Sequence, residues 1–174
     1  MNAHKPEALG IGAKRIAAIA DSVIEQLGYT PGADLEPVVQ RLGGRISHVD
    51  FWGGSTTDSG SIEVKDNSFE IRLALATGPL RDRFTIAHEL GHYILHYLYA
   101  NQVNSKKIKW LVAERFGNDL AEKEANAFAA AFLMPEKAYR TLHEETNGNH
   151  FVISQKFQVS AAASKVRASA LGLE

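Results

Sequence analysis

The amino-acid sequence predicts an α+β protein that is mostly helical, with a small three-stranded antiparallel sheet and a short helical C-terminal tail. Apolar residues recur at helical spacing in three long stretches, residues 12–28, 79–98 and 120–134. Between residues 45 and 74, three short runs have the pattern of strands. A length of 174 residues, with 45% hydrophobic and 22% charged residues, suffices for one well-buried core.

Two helices are expected near the start of the chain. Residues 12–28 carry an amphipathic stripe of isoleucine, valine and leucine, and Gly28 ends it. A shorter helix over residues 34–42 is closed by Gly43 and Gly44. Neither helix carries residues with evident chemistry, so we expect both to contribute to packing alone.

The strands are expected next. Residues 45–51 alternate, although imperfectly, and residues 51–57 follow as a loop. Residues 61–65 and 69–74 flank Asp66-Asn67, which is the signal of a β-hairpin. The edge of such a sheet can hold an extended peptide as an added strand. The pattern does not indicate which strand is the edge.

The helix over residues 79–98 carries the chemistry. Its residues 88–92 read His-Glu-Leu-Gly-His, and the two histidines, four apart, lie on one helix face. His88 and His92 can therefore bind one Zn²⁺ as neutral imidazoles. Glu89 lies beside them and can act as general base on a zinc-bound water. The alternative interpretation is a core helix with hydrogen-bonded histidines.

A third protein ligand has to come from another residue, because two histidines leave a catalytic zinc ion short of the usual three. His96 follows His88 by eight residues, which is about 12 Å of rise on a straight helix. One ion cannot be reached by both. We therefore expect His96 to support the site from outside the ligand set or to lie at the helix end.

A carboxylate from the helix over residues 120–134 is the other source of a third ligand. Glu122 and Asn126 share one face of this helix, whereas Glu124 is predicted to point elsewhere. We favour Glu122 as the ligand and keep Glu124 as the alternative. Asn126 could hydrogen-bond a metal-bound histidine from outside the ligand set.

Composition and helix-breaking residues predict the structure of the remaining segments in the second half of the chain. Residues 99–119 are polar and basic, which predicts a solvated loop with one short helix. Pro135 interrupts the helix before it, and a further helix is expected to reach Leu142 or His143. Two short helices are expected between Phe151 and Leu173.

This pattern suggests one domain with an appended tail. We assign residues 1–150 to the domain and residues 151–174 to a helical tail packed on its core. No separate regulatory domain follows the tail in this sequence, so sensory control is not implied.

Composition limits the partners and the compartment. The net charge of −1 provides no global attraction for nucleic acid or an anionic membrane. The chain has no cysteine, which excludes thiolate zinc sites and disulfides and favours a reducing compartment. It shows no apolar signal core and no run near the roughly 20 apolar residues that span a bilayer. We therefore expect a cytoplasmic protein.

Two motifs together resemble the ImmA/IrrE family of bacterial zinc metallopeptidases. The first is His88-Glu89-Leu90-Gly91-His92 with His96 behind it. The second, more specific, is the run from Glu122 through Ala125-Asn126 to Phe132-Leu133-Met134-Pro135. The resemblance covers roughly residues 34–135, and the tail is similar to the end helices that many members carry.

The resemblance implies a gluzincin-like core with His88, His92 and Glu122 as zinc ligands and Glu89 as catalytic base. Members are linked to cleavage of helix-turn-helix repressors and to toxin–antitoxin pairs. The predicted function is therefore a zinc-dependent endopeptidase that cleaves a helix-turn-helix transcriptional regulator, either a repressor or an antitoxin.

Two alternatives belong to other functional classes. A zinc-bound module could sequester such a regulator without cutting it, although a pure binder does not need Glu89. A DNA-binding regulator could use residues 152–171 as a helix-turn-helix. That segment offers only Lys165 and Arg167 as cations on its candidate recognition helix, whereas duplex binding needs many. We therefore do not expect direct nucleic-acid binding.

Overall fold

A computed structural model describes residues 2–50, 60–114 and 119–173 of the chain. The helices are α1 Ala13–Leu27, α2 Glu36–Arg41, α3 Pro79–Gly91, a π-helix His92–Tyr99, α4 Ala100–Val103, α5 Leu120–Leu133, α6 Glu136–Glu145, α7 His150–Phe157 and α8 Ala161–Ala170. The strands are β1 Gly44–Val49, β2 Gly60–Lys65, β3 Ser68–Ala74 and β4 Trp110–Glu114. The predicted loop at residues 51–57 lies outside the described residues.

The sheet is mixed and has four strands in the order β1-β3-β2-β4. The α+β class is thus confirmed, but the predicted three-stranded antiparallel sheet is wrong in two respects. Strand β1 runs parallel to β3, and β4 pairs antiparallel with β2. β4 lies inside the segment predicted to be a solvated loop. That prediction was wrong because the strand has only five residues and follows several lysines, so the basic composition of the segment hid its apolar pattern.

The hairpin of β2 and β3 is present where the sequence placed it. Asp66 and Asn67 both have positive φ angles, 49° and 67°, as a tight two-residue hairpin turn requires. Along both strands, alternate side chains are buried against the helices, among them Ile62, Val64 and Ile71. This face forms one wall of the core beneath α3.

The histidine-bearing helix is continuous but not uniform. α3 leads directly into the π-helix at His92, and α4 continues it. π-helical turns have i→i+5 hydrogen bonds and are frequently found at functional sites. The change of winding begins at the second histidine of the motif, so the spacing of residues beyond it departs from that of a straight α-helix.

Gly91 allows α3 and α5 to approach closely. A Cβ atom at this position would lie 3.0 Å from the carbonyl oxygen of Ala125, 3.1 Å from its Cα and 3.3 Å from Cβ of Phe128. The glycine in the middle of the motif therefore brings the helix that carries the carboxylates against the helix that carries the histidines.

Replacing Gly91 by valine should destabilise the fold by about 1–3 kcal/mol, because the added methyl groups would press on the backbone of α5. Denaturant unfolding of the metal-free protein would measure this. Gly78→Ala is the matched control, because a Cβ there has nothing within 4 Å; it should cost less than about 1 kcal/mol. Equal effects of the two variants would contradict the close-approach role of Gly91.

The tail helices pack against the end of α5 and against α6. The Tyr139 hydroxyl lies 2.6 Å from the carbonyl oxygen of Ser164, and its ring stacks on Phe157 with centroids 5.9 Å apart. Arg167 is 9% exposed and donates a hydrogen bond to the carbonyl oxygen of Met134. One of the two cations of the candidate recognition helix is therefore engaged inside the protein. Within the described residues, no helix has the length and apolarity to cross a membrane.

Candidate metal centre

Three side chains from two helices converge on one point. The Nε2 atoms of His88 and His92 lie 3.2 Å apart. One carboxylate oxygen of Glu122 lies 3.1 Å from Nε2 of His88, and the other lies 3.0 Å from Nε2 of His92. Among the described residues, the ligand atoms of these three lie within 4.8 Å of one another and could hold a metal ion.

The geometry and the donor types both fit a divalent metal. Two ligands at 2.0–2.1 Å from a tetrahedral zinc ion would be about 3.3 Å apart, close to the separations between the three donors here. Two imidazoles and one carboxylate are a common ligand set of catalytic zinc, leaving a fourth position for water or substrate. The cluster is therefore suited to a catalytic rather than a closed structural ion.

The electrostatics of the cluster favour the protonation states that a metal requires. His88 and His92 are 0% and 1% exposed. Burial lowers the pKa of His92 to about 4, despite the opposing hydrogen bond with Glu122. Burial alone would raise the pKa of Glu122, but hydrogen bonds with His88 and His92 outweigh it and lower that pKa well below its usual range. A neutral His92 beside an ionised carboxylate results.

An N-cap at the start of α5 holds the backbone of Glu122 in position. Asp119 precedes the helix, and its carboxylate accepts a hydrogen bond of 2.9 Å from the backbone N–H of Glu122. This is an N-cap interaction, which holds the first turn of the helix in place. Glu122 therefore faces the histidines from the capped first turn of α5.

Asn126 lies one turn further along α5, on the face it shares with Glu122. Its Oδ1 atom is 2.8 Å from Nδ1 of His88. A protonated Nδ1 donates this hydrogen bond and leaves the Nε2 lone pair of His88 for a metal. Asn126 therefore contacts a histidine of the cluster without belonging to the converging set.

Asn126→Ala should weaken zinc binding by about 10–100-fold, the usual cost of removing an outer hydrogen bond to a ligating histidine. Competition with a chelating dye would measure the dissociation constant. Asn126→Asp is the matched control, because it keeps an acceptor oxygen at the same reach and should retain most of the affinity. An alanine variant with wild-type affinity would contradict the role.

Glu89 is buried next to the cluster and is not one of its three converging ligands. The residue is 1% exposed. Its Oε1 atom would be 3.8 Å from a Cβ atom placed at Gly60, the first residue of β2. At Gly60, where φ is +155°, such a Cβ would also come within 2.5 Å of the Thr85 methyl group. Glycine here lets the sheet begin directly against the helix face that carries Glu89.

His96 and Glu124 form a second buried pair behind His92. Nδ1 of His96 lies 3.0 Å from Nδ1 of His92, and its Nε2 lies 2.9 Å from Oε2 of Glu124. His96 is thus outside the converging set, as expected. Glu124 does lie away from Glu122, but it is 3% exposed and not a surface group.

Sequence reasoning missed the contacts of Glu124. The backbone N–H groups of Leu9 and Gly10 both donate to its carboxylate, from more than 110 residues away. The signal that could have identified Glu124 as buried is the composition of α5, which is apolar on nearly every side. A carboxylate in such a helix needs a partner.

The comparisons with known proteins agree with this geometry. The family model of peptidase M78, described as the IrrE N-terminal-like domain, matches residues 70–169. A search of curated sequences found no match. One similar solved structure is a Mycobacterium tuberculosis transcriptional regulator, with a TM-score of 0.62 and 16% identity over 90% of this chain. That likeness concerns the fold alone, and this chain spans 46% of that structure.

The family match includes both helices of the metal centre and reaches into the tail. It confirms the resemblance that the two sequence motifs suggested, since residues 70–169 contain His88 to His92 and the run from Glu122 to Pro135. The match extends over more than half of the 174 residues. The chain belongs to the ImmA/IrrE family, through the IrrE N-terminal-like domain of peptidase M78.

Proposed function

We propose that this chain is a zinc-dependent endopeptidase that cleaves a helix-turn-helix transcriptional regulator, either a repressor or an antitoxin. Family membership indicates a metallopeptidase-like role. The observation that carries the proposal is the convergence of His88, His92 and Glu122 within 4.8 Å, with the buried carboxylate of Glu89 next in sequence to His88. The ligand set supports zinc as the ion, and the absence of cysteine leaves imidazole and carboxylate donors to hold it.

The proposed chemistry divides between the ion and the chain. When bound, zinc polarises the scissile carbonyl and lowers the pKa of a water molecule towards about 7. His88, His92 and Glu122 hold the ion, and Asn126 keeps the first histidine oriented. Glu89 takes the proton from the attacking water and passes it to the leaving amine nitrogen.

The outer edge of β4 is the proposed binding place for an extended substrate segment. β4 is an outer strand of the described sheet. A cavity of about 350 Å³ beside it is lined by Val112 and Glu114 of β4 and by Glu122 of the metal centre. His4 pairs with Leu111 in a parallel bridge and uses the outward backbone groups of Trp110 and Val112. A substrate segment would therefore add to the edge beside Glu114 or replace the N-terminal segment, in the manner of strand addition.

The choice of regulator as substrate rests on the family resemblance, whose members are linked to helix-turn-helix repressors and antitoxins. The transcriptional regulator of similar fold is related to this chain by fold alone. A chain that sequesters such a regulator without cleaving it would use the same surface, so the experiment has to separate cleavage from binding.

The test begins with the zinc-loaded Glu89→Gln variant, used in cells of the source organism as a trap that binds but does not cut. Cross-linking and mass spectrometry would identify what it holds. The purified partner is then incubated with the wild type, with and without a chelator, and its intact mass is recorded. We expect a helix-turn-helix regulator and a defined pair of fragments that the chelator abolishes. A trapped regulator that stays intact with the zinc-loaded wild type would overturn the peptidase and leave the sequestering module.

A further inference from the structure

We propose that the N-terminal segment positions the metal ligand His92 through a buried relay formed by Glu124 and His96. The inference rests on the proposed metal centre and extends it to residues outside the ligand set. In this relay, His96 and Glu124 are positioning residues, and the backbone of Leu9 and Gly10 is the anchor.

The relay is an unbroken chain of four hydrogen bonds. Nδ1 of His92 lies 3.0 Å from Nδ1 of His96, and Nε2 of His96 lies 2.9 Å from Oε2 of Glu124. The backbone N–H of Leu9 donates to Oε2 over 2.9 Å, and that of Gly10 donates to Oε1 over 2.8 Å. All three side chains are 3% exposed or less.

The direction of every hydrogen bond follows from the metal end. With the lone pair of its Nε2 given to an ion, His92 must carry its proton on Nδ1 and donate it to Nδ1 of His96. His96 then donates from Nε2 to Glu124. The carboxylate has no donor of its own, and it accepts three N–H groups, one from the ring and two from consecutive backbone amides. Each hydrogen-bond donor of the relay therefore faces an acceptor.

The anchor has the form of an anion site built from backbone. Consecutive N–H groups that point to one oxygen-bearing group make a concavity that suits a negative charge. Gly10 adopts a φ of +68°, and a Cβ atom there would meet nothing within 4 Å. The glycine is therefore used for its backbone conformation, which turns its N–H towards Glu124, and not for close packing.

The relay gives the N-terminal segment a role that packing alone would not require. A ligating histidine is held in one ring orientation by the acceptor of its second nitrogen, and losing such an acceptor typically costs 10–100-fold in metal affinity. Here that acceptor, His96, is itself held by Glu124, and Glu124 is held by the first residues of the chain. Removing those residues should therefore loosen a metal site to which they contribute no ligand.

The test measures zinc affinity of the full chain and its variants by competition with a chelating dye. Glu124→Gln keeps one acceptor oxygen but turns its NH2 group towards one of the N–H donors, and it should lose about 10–100-fold in zinc affinity. Leu9→Pro removes one anchoring N–H and should lose affinity in the same direction. Leu9→Ala keeps that N–H and removes only apolar contact, so it should lose less zinc affinity than Leu9→Pro.

A pair of deletions separates the anchor from the strand pairing of the same segment. Removal of residues 2–10 should weaken zinc binding, whereas removal of residues 2–6 takes away the pairing of His4 with β4 but leaves Leu9 and Gly10. The shorter deletion should keep wild-type affinity. Equal losses in both deletions would overturn the anchor.

The visible absorption of the cobalt-substituted protein supplies a readout that general destabilisation would not move. The bands should shift in Glu124→Gln and in Leu9→Pro, because the ring of His92 is reoriented, and should shift less in Leu9→Ala. Wild-type zinc affinity and cobalt spectra in both Glu124→Gln and Leu9→Pro would overturn the relay alone. A wild type that binds no zinc would overturn the metal centre, and the relay with it.

Discussion

Glu89→Gln should give a folded, zinc-loaded protein that cleaves its substrate about 10²–10⁴-fold more slowly than the wild type, or more slowly still. Glutamine keeps the shape of the side chain and nearly all its hydrogen-bonding reach, but it cannot take a proton from water. Glu89 is not among the three converging ligands, so zinc content should stay at one ion per chain. Intact-mass analysis of the regulator over time measures the cleavage rate, and metal analysis of the wild type and the variant measures the zinc content.

Binding should survive the same change, because the edge of β4 and the cavity beside it are untouched. Asn126→Asp serves as a control. It makes the opposite exchange, of a carboxamide for a carboxylate, near the same metal centre, and it should retain cleavage. A Glu89→Gln protein that cuts at the wild-type rate with full zinc would show that another group accepts the proton. Loss of folding in the Glu89→Gln protein, with loss of its zinc, would show a structural role for the carboxylate.

His92→Ala should lose the metal. The variant removes one of three ligands and also the link between the ion and the His96–Glu124 pair. Glu122→Gln should lose zinc for a related reason, since the neutral amide brings no charge to the ion. The wild type should gain about 4.1 kcal/mol of stability when free zinc is 1,000 times its dissociation constant, and His92→Ala should gain almost none.

Metal analysis after dialysis, together with thermal unfolding with and without zinc, measures both effects. His96→Ala is the matched control. The zinc affinity of this variant should fall because the relay is lost. The variant should still bind zinc at micromolar protein concentration, because it keeps all three ligands. Full zinc occupancy in His92→Ala would mean that the ion, if bound, lies elsewhere.

The parts of the site that could be predicted are those set by spacing within one helix. His88 and His92 are one turn apart, and so are Glu122 and Asn126, which places each pair on one face whatever the surrounding fold. Helix α3, the β2–β3 hairpin and the two tail helices follow from equally local patterns. The preference for Glu122 over Glu124 came from the same argument of a shared face.

What could not be predicted depends on contacts between distant segments. The parallel pairing of β1 with β3 is decided by how the chain returns to the sheet and not by the pattern of β1 itself. Strand β4 is short and follows a basic run, so its membership of the sheet depends on β2. The anchoring of Glu124 joins residues 115 and 114 positions apart, which no local periodicity encodes.

The π-helix is a third feature beyond the reach of the pattern. On a straight α-helix the rise alone keeps His96 away from the ion, whereas the winding here changes at His92. His96 still lies outside the converging set, because its ring faces the far nitrogen of His92 and hydrogen-bonds Glu124.

X-ray absorption at the zinc edge of the purified wild type tests the central claim most directly, because it counts the ligands without any substrate. We predict one zinc ion per chain, two imidazole nitrogens at about 2.0–2.1 Å and carboxylate or water oxygens at about 2.0–2.2 Å. The imidazole count should be unchanged in His96→Ala and should fall to one in any zinc that His92→Ala retains. Three imidazoles in the wild type, or no stoichiometric zinc at all, would contradict the metal centre of His88, His92 and Glu122.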